Sequence, residues 1–409
     1  MSKELDLRPK YCVELDVDND AWPDRQMVRK EWRLSNTLEN LKFLLRHLGI
    51  DVKYNVISKD IEIHTPNEMY GSFDDGKNAA MNAIVSECCR YQLQKTNTKD
   101  YLDAIGYQNQ YNPVLDWIKT KPYDHENDYI DELCCTITAR DDFDDNFKNL
   151  LIKKWLISCV AMADNDGARH WSKGVLVFQG DQNLGKSYWY WSLFPKEYKH
   201  DWGQESVLLR PDNKDSVISA VSNWIAELGE LDSTFRKSDI SQLKGFLTKS
   251  KDKLRRPFGR KDSTYPRRTA FFGSVNPREF LKDETGNSRF WVVPCVNIDF
   301  AHDVDIQQMW AQAYELYMND YEWFLSHDEF MQLEQYNEYS RELSPIEEKI
   351  ISFEWGLKNQ YMTATDVLKF IGYDTPTKSD RNTAAAALRK HFGEYKPSRD
   401  GRVFNMWRK

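Results

Sequence analysis

The sequence lacks several features that mark specialised classes of protein. Its seven cysteines form no C-x-x-C pair, and no histidine stands at zinc-finger spacing, so neither a disulfide framework nor a zinc site is indicated. No stretch reaches the roughly 20 apolar residues of a membrane span, and the first residues lack the apolar core of a signal peptide. We expect reduced thiols, no membrane partner and a cytoplasmic location.

An excess of basic charge is also missing from the chain as a whole. The formal net charge is -8 at pH 7, which argues against a protein coated in basic surface, although nucleic-acid binding needs only a local positive stripe. Apolar residues at 41% and charged residues at 29% are typical of a globular protein. At 409 residues the chain exceeds the usual size of one hydrophobic core, so we expect two or three domains.

The amino-terminal part predicts a small domain of mixed helix and strand. Five leucines between residues 38 and 48 recur on one helical face, and Gly49 follows where a helix C-cap would stand. Apolar alternation around Val52 and again around Ile61, separated by a polar turn, predicts a hairpin. We assign residues 1–110 to this α+β domain and residues 111–145, which are rich in acids, to a connecting region at the surface.

The middle of the chain predicts a three-layer α/β domain over residues 146–345. A long apolar helix leads into the strand GVLVFQG, and a helix beginning SYWYW follows a glycine-rich segment. Three further apolar runs have the length and flanks of buried parallel strands: residues 224–227, 269–275 and 289–293. After them, residues 346–409 predict two short helices and a basic hairpin, which is the pattern of a winged helix.

The glycine-rich segment GDQNLGKS fits the phosphate-loop pattern G-x-x-x-x-G-K-[ST] without a mismatch. Glycines let the backbone wrap phosphates, and amides at the start of the next helix favour an anion. Lys186 should reach the β- and γ-phosphates, and the Ser187 hydroxyl should hold Mg²⁺. A chance match on an ordinary turn is the alternative. We predict ATP and Mg²⁺ binding by Gly180, Asp181, Gln182, Asn183, Leu184, Gly185, Lys186 and Ser187.

Two acids follow in the run NWIAELGEL. Glu227 ends an apolar strand and is the candidate for the magnesium side, and Glu230 is the candidate for orienting the attacking water. The usual pattern has two adjacent acids, whereas Leu228 and Gly229 separate these two. A solvated carboxylate at a helix start is therefore the alternative for Glu230.

Two more polar residues are candidates for the reaction. Asn276 ends the strand TAFFGSVN, where it could contact the γ-phosphate or the attacking water; otherwise it caps a turn before Pro277. Arg289 starts the next predicted strand, where it could act as an arginine finger on the nucleotide of a neighbouring subunit. An ordinary surface ion pair is the alternative for Arg289.

Basic residues concentrate in one segment, the basic island of residues 249–268. It holds nine Lys or Arg and two Asp, a net charge of +7 in an acidic protein. Its aromatic and turn residues predict a loop or hairpin that presents charge to a phosphate backbone. A charge run is usually only a solvated face, but this one stands between two predicted core strands. The nucleic-acid candidates are Lys251, Lys253, Arg255, Arg256, Arg260 and Lys261.

Five blocks in order, GDQNLGKS, WIAELGEL, RRPFGRKDSTYPRR, FFGSVN and DETGNSRFW, resemble the virulence-associated protein E family, phage and mobile-element replication proteins that are similar to superfamily 3 helicases. The resemblance covers roughly residues 110–345. It implies an AAA+ P-loop NTPase that forms a homo-oligomeric ring, commonly a hexamer, with the basic insert lining a channel for single-stranded DNA. It also implies Walker A roles for Lys186 and Ser187, the Walker B acid for Glu227, sensor 1 for Asn276 and the finger for Arg289.

Three functions are compatible with the sequence. The leading hypothesis is an ATP-driven DNA helicase or translocase for the replication of a phage or mobile element in a bacterial host. An origin-binding initiator that uses ATP without unwinding DNA is the second, and a small-molecule or nucleotide kinase is the third. The carboxyl-terminal segment resembles the winged-helix tails of initiators, which implies duplex-DNA contact near Arg389, Lys390 and residues 399–402, although such domains also bind proteins.

Overall fold

The structure is a computed structural model of the full chain. It divides into two compact units, the first containing residues up to 276 together with 289–333, and the second containing residues from 334 onward. Among the described residues, no helix combines the length and the apolar character that a bilayer crossing requires. The described residues are 15–16, 21–66, 76–93, 95–167, 174–207, 213–229, 243, 245–254, 263–276, 289–339, 344–353, 355, 361–398 and 401–406.

The amino-terminal part of the first unit combines small sheets with short helices. The predicted leucine helix is confirmed: Thr37 caps its start by accepting from the Asn40 amide, and Gly49 ends it at φ 67°, a left-handed conformation that favours glycine. The predicted hairpin is confirmed as the antiparallel pair β3–β4, with β5 parallel to β3. The elements are β1 (Arg25–Val28), β2 (Glu31–Leu34), α1 (Leu38–Leu48), β3 (Asp51–Asn55), β4 (Asp60–His64), α2 (Gly76–Arg90), α3 (Thr98–Gln108), β5 (Gln110–Tyr111) and α4 (Pro113–Ile118).

The acidic connecting segment contributes more to the interior than its composition indicates. It contains helix α5 (Tyr129–Cys135) and strand β6 (Ile137–Ala139). Ile130 and Leu133, one helical turn apart, are buried while the acids between them face outward. The few apolar residues therefore form one buried face, and β6 pairs with the edge of the main sheet.

The remaining elements of the first unit build a sheet with helices around it. They are α6 (Asp145–Ala163), β7 (Val175–Gln179), α7 (Lys186–Ser192), α8 (Lys199–Trp202), β8 (Gly203–Val207), α9 (Lys214–Val221), β9 (Ile225–Leu228), β10 (Lys251–Leu254), β11 (Ser263–Pro266), β12 (Ala270–Val275), β13 (Phe290–Ile298), α10 (Ile306–Met318) and α11 (His327–Tyr339).

Among the described residues, the main sheet has six strands in the order β6-β13-β7-β12-β9-β8. All neighbouring pairs are parallel except β13–β6. The three apolar runs predicted as buried parallel strands are confirmed as β9, β12 and β13. Every residue of β7 is buried, so both faces of the sheet are covered at this strand. The edge strand β8 was missed because GQESV has no apolar alternation.

Tryptophans join the helices to the sheet and to one another. The indole N–H of Trp155 in α6 donates to the Phe271 carbonyl at 2.9 Å, and that of Trp310 in α10 donates to the Leu193 carbonyl at 2.8 Å. Both side chains are fully buried. Each bulky ring therefore buries apolar area without leaving its polar atom unpaired.

The second unit contains α12 (Pro345–Ser352), β14 (Tyr361–Thr363), α13 (Ala364–Phe370), α14 (Lys378–Phe392), β15 (Lys396–Ser398) and β16 (Gly401–Asn405). Capping boxes start α13 at Thr363 and α14 at Thr377. The strands form an antiparallel sheet in the order β14-β16-β15. The two helices and the terminal hairpin that the sequence predicts are therefore present, around a core that includes Leu368, Leu388 and Phe404.

Candidate functional site

The glycine loop, residues Gly180 to Ser187, joins the carboxyl end of β7 to the start of α7. The Gly180 amide donates to the Val275 carbonyl at 3.1 Å, and a Cβ at this position would lie 2.6 Å from the Cys295 carbonyl oxygen. Gly185 has φ 94°, and a Cβ there would meet the Phe300 ring at 2.3 Å. Both positions therefore require glycine.

Lys186 lies inside the curve of this loop. Its ammonium group donates to the carbonyl oxygens of Gly180 and Asp181, both at 2.8 Å, and to Oδ1 of Asn276 at 3.0 Å. Burial lowers the pKa of Lys186, while nearby anionic groups oppose the change. The structure thus brings the predicted lysine and the predicted strand-end asparagine together.

Glu227, near the end of strand β9, which pairs with β12, faces the same loop. Its Oε1 accepts from the hydroxyls of Ser187 and Ser274, each at 2.8 Å, whereas its buried Oε2 has no hydrogen-bond partner among the described residues. Burial raises the pKa of Glu227, and the two serine hydrogen bonds oppose this rise. A buried carboxylate oxygen without a partner is costly, and a cation would offset that cost.

The residues at this site fit Mg²⁺, which needs few protein ligands, better than a metal ion that is bound by protein ligands alone. Within the described part of the chain, no cluster of three or more His, Cys, Asp or Glu could hold a metal. Magnesium typically takes one or two carboxylates and completes its shell with water and substrate phosphates. The Ser187 hydroxyl and the Glu227 carboxylate could supply the protein's share.

Ser274 was missed at the sequence level. It stands in β12 with its hydroxyl on the Glu227 carboxylate, two residues before Asn276. The available signal was a single hydroxyl within the apolar run AFFGSV. A polar side chain inside a buried strand needs a partner, which here is the buried acid.

The other predicted catalytic residues do not join this cluster. Glu230 lies outside the described residues. Arg289 immediately precedes β13 and therefore lies at the amino ends of the parallel strands, whereas Lys186 lies at their carboxyl ends. The Nε atom of Arg289 is buried without a hydrogen-bond partner among the described residues. Arg289 therefore does not belong to the glycine-loop site of its own chain.

The sequence predicts a loop or hairpin here, and the described residues of the basic island form antiparallel strands, β10 and β11, as in a hairpin. Lys251 and Lys253 are exposed on one face of β10, as expected for side chains that present charge. Arg255, Arg256, Arg260 and Lys261 lie outside the described residues.

Arg267 of the island differs from the expected exposed charge. Arg267 is fully buried, and its Nε donates to both carboxylate oxygens of the buried Asp252, at 3.1 and 3.0 Å. The guanidinium also donates to the Phe246 backbone carbonyl at 2.7 Å, and its Cζ lies 4.0 Å from the centroid of the Phe246 ring. This ion pair is structural, and it anchors the base of the hairpin.

The hairpin and the glycine loop lie at opposite ends of the parallel strands, the hairpin at their amino ends and the loop at their carboxyl ends. Arg267 precedes the amino end of β12, and Asn276 follows its carboxyl end. The six residues of β12 span about 20 Å. Asn165, just after α6, donates to the Arg267 carbonyl at 2.7 Å and so fixes the chain at the base of the hairpin.

In the second unit, carboxylates already pair with the two helix cations, Arg389 and Lys390, that were expected near duplex DNA. Arg389 pairs with Glu394 at 3.6 Å, and Lys390 pairs with Glu338 and lies 3.7 Å from Glu347. The exposed Lys378 and Arg381 belong instead to the first turns of α14. The end of α14 is therefore less positive than its sequence indicates.

Replacing Glu227 with Gln is expected to stabilise the nucleotide-free protein at pH 8. Burial raises the pKa of the Glu227 carboxyl in the folded state. The contribution of this group to the free energy of unfolding is therefore complete below its unfolded-state pKa, and it is lost as the pH rises through the folded-state pKa. Thermal unfolding without Mg²⁺ should show a Tm a few degrees higher for the variant at pH 8 and equal Tm values near pH 4. A gain of equal size at both pH values would contradict this origin.

The described residues thus define a mixed α/β protein whose mainly parallel sheet carries a glycine loop, a buried acid and an asparagine at the carboxyl ends of its strands. The family model of the virulence-associated protein E-like domain matches residues 119–342, more than half of the chain. The chain belongs to this family.

Three solved structures similar to this chain are all described as apo structures of the NrS-1 C-terminal region, two of them as its A form. Each is 13% identical, and the alignments cover 89% of this chain and 97% or 98% of theirs, with TM-scores of 0.47, 0.48 and 0.48. No curated protein matches the sequence.

Proposed function

We propose that this protein binds ATP with Mg²⁺ at the glycine loop and hydrolyses it. One observation carries the proposal: at the same loop, Lys186 meets Asn276 and Ser187 meets the partly unpaired Glu227 carboxylate. Positive charge, an amide and a metal-binding acid thus surround the place where the end of a triphosphate would lie.

Each side chain has a distinct part in this proposal. The Lys186 ammonium would exchange its carbonyl partners for β- and γ-phosphate oxygens, which carry more negative charge. Asn276, now the acceptor for Lys186, would use its amide to orient the γ-phosphate or the attacking water. Ser187 and Glu227 would hold Mg²⁺, which would neutralise part of the phosphate charge.

The wider fold assignment belongs to the same proposal. A P-loop NTPase core of the AAA+ type, similar to superfamily 3 helicases, is supported by the sheet order and by the loop at the end of its central strand. A winged-helix-like carboxyl-terminal domain is supported by the order helix, strand, helix, helix, hairpin. The division into 1–110, 111–145, 146–345 and 346–409 stays a prediction.

We further propose that hydrolysis drives movement along single-stranded DNA during replication of a phage or mobile element. The exposed lysines of the basic hairpin support a phosphate-backbone contact. The distance of Arg289 from the glycine loop of its own chain favours action on the nucleotide of a neighbouring subunit, and hence a ring, commonly a hexamer.

Changing Lys251 and Lys253 together to Glu should weaken binding of single-stranded DNA at least about tenfold at low salt, because two phosphate contacts become repulsive. Fluorescence anisotropy with a labelled oligonucleotide measures the affinity. The slope of log K against log salt should become shallower by about 0.7 for each lost contact. ATP hydrolysis without DNA should change little.

The matched control for the hairpin is Lys121→Glu, which reverses the same charge at another exposed lysine. Its DNA affinity should stay within about twofold of wild type, since one distant exposed charge is largely screened. Equal losses in the control and the hairpin variant would assign the effect to net charge and contradict the hairpin contact.

An origin-binding initiator that does not unwind DNA is the second candidate. The arrangement of the second unit favours it, since Lys378 and Arg381 are exposed at the start of α14. Recognition helices contact bases through their first turns. A strand-displacement assay with ATP separates the two functions, because an initiator would bind duplex origin DNA without processive unwinding.

A further inference from the structure

Two exposed aromatic rings lie together beside the glycine loop. Tyr188, in the first turn of α7, is 70% exposed, and Phe300, which follows β13, is 44% exposed. Their ring centroids lie 5.3 Å apart at an interplanar angle of 31°. Phe300 also packs on Gly185, where a Cβ would lie only 2.3 Å from its ring. Large rings left in water beside a polar site are typical of binding surfaces.

The polypeptide on both sides of Phe300 is held in place. The Asp299 amide donates to the Thr136 carbonyl at 2.8 Å, and the His302 ring is 2.8 Å from the hydroxyl of Ser192 in α7. These contacts attach the segment to the end of α5 and to the end of α7. Phe300 is therefore a fixed support for Tyr188.

The sheet order separates the two sides of the loop. Glu227 and Asn276 belong to the ends of β9 and β12, on one side of β7, whereas Phe300 follows β13, on the other side. A triphosphate whose terminal phosphate faces Glu227 and Asn276 therefore directs its nucleoside end toward β13. Phe300 lies on that side, and Tyr188 contacts it from α7.

We propose that Tyr188, supported by Phe300, is the platform on which the base of the bound nucleotide stacks. The inference rests on the proposed nucleotide site and adds the group that recognises the nucleoside. A base between the two rings would need about 3.5 Å on each side, or about 7 Å in all, so the observed 5.3 Å excludes insertion. The base stacks instead on the outer face of Tyr188, and Phe300 acts as a positioning residue.

Stacking accepts any base because every base presents a π-face. ATP and GTP should therefore bind with affinities within about tenfold of each other. Removing an aromatic platform typically costs about 1–3 kcal/mol per base, which corresponds to about 5- to 150-fold in Kd.

The test compares ATP with inorganic tripolyphosphate, which carries the phosphates without a nucleoside. Isothermal titration of the full chain in Mg²⁺ buffer should show about 5- to 150-fold weaker ATP binding in Tyr188→Ala and an unchanged Kd for tripolyphosphate. Tyr188→Phe should retain ATP binding. Phe300→Leu, which keeps apolar contact with Gly185, should show a smaller loss. Tyr107→Ala is the control, since Tyr107 is 49% exposed elsewhere.

The outcomes separate this inference from the proposed function. Unchanged ATP affinity in Tyr188→Ala would overturn the platform and leave the nucleotide site intact. Equal losses of ATP and tripolyphosphate binding would also overturn it, because the ring would then support the loop and not the base. Failure of both ligands to bind the wild-type protein would remove the nucleotide site itself.

Discussion

Replacing Lys186 with Ala is expected to reduce ATP hydrolysis at least about 100-fold. The ammonium group lies within hydrogen-bond reach of Gly180, Asp181 and Asn276, so its removal takes the positive charge out of the curve of the loop. Loss of one preorganised charge-stabilising donor typically costs 10²–10³ in rate. Phosphate release at saturating ATP and Mg²⁺ measures the effect, and a melting curve verifies that the variant is folded.

Two companion variants separate charge from geometry. Lys186→Arg keeps the charge, but the planar guanidinium does not fit the three acceptors that surround a single ammonium, so it should also hydrolyse ATP slowly. Lys196→Ala removes an exposed lysine just after α7 and should be within about twofold of wild type. Wild-type hydrolysis by a folded Lys186→Ala protein would refute the proposed catalytic site.

Local signals predicted the centre of this site. The spacing of Gly180, Gly185 and Lys186 requires no knowledge of tertiary structure, and the flanking strand and helix follow from apolar periodicity. The apolar runs before Glu227 and Asn276 predicted parallel strands, whose carboxyl ends meet at one edge of a sheet. Because these strand ends meet at one place, the sequence pattern is consistent with the contact between Lys186 and Asn276.

Long-range packing set what the sequence pattern could not indicate. In the basic island, which holds nine Lys or Arg, Arg267 is buried beside a buried acid and two phenylalanine rings. Periodicity carries no information about such partners, because Phe246 and Phe271 reach Arg267 through the fold. Strand β8 likewise pairs with β9 through backbone hydrogen bonds, and the polar side chains of GQESV do not indicate that pairing.

Strand β12 connects the two proposed activities. Its amino end begins three residues after Arg267, which anchors the basic hairpin, and its carboxyl end carries Ser274 and leads into Asn276 at the proposed nucleotide site. A central strand paired on both sides deforms little along its length. A displacement at Asn276 on hydrolysis would therefore be carried to the hairpin, provided that the Asp252–Arg267 ion pair keeps the hairpin attached.

Replacing Asp252 with Ala is accordingly expected to lower the free energy of unfolding by about 3–5 kcal/mol, because Arg267 would remain buried without its counter-charge. Urea unfolding measures this loss. The surface pair Lys42–Glu39, 2.9 Å apart, supplies the control, and Lys42→Ala should cost at most about 1 kcal/mol. The double variant Asp252→Leu, Arg267→Met should recover most of the stability, since apolar residues of similar size replace buried pairs at little cost. A loss below 1 kcal/mol in Asp252→Ala would mean that the hairpin base is not held by this pair.

If the double variant is stable yet its ATP hydrolysis no longer responds to single-stranded DNA, the pair serves to couple the hairpin to β12 in addition to folding it.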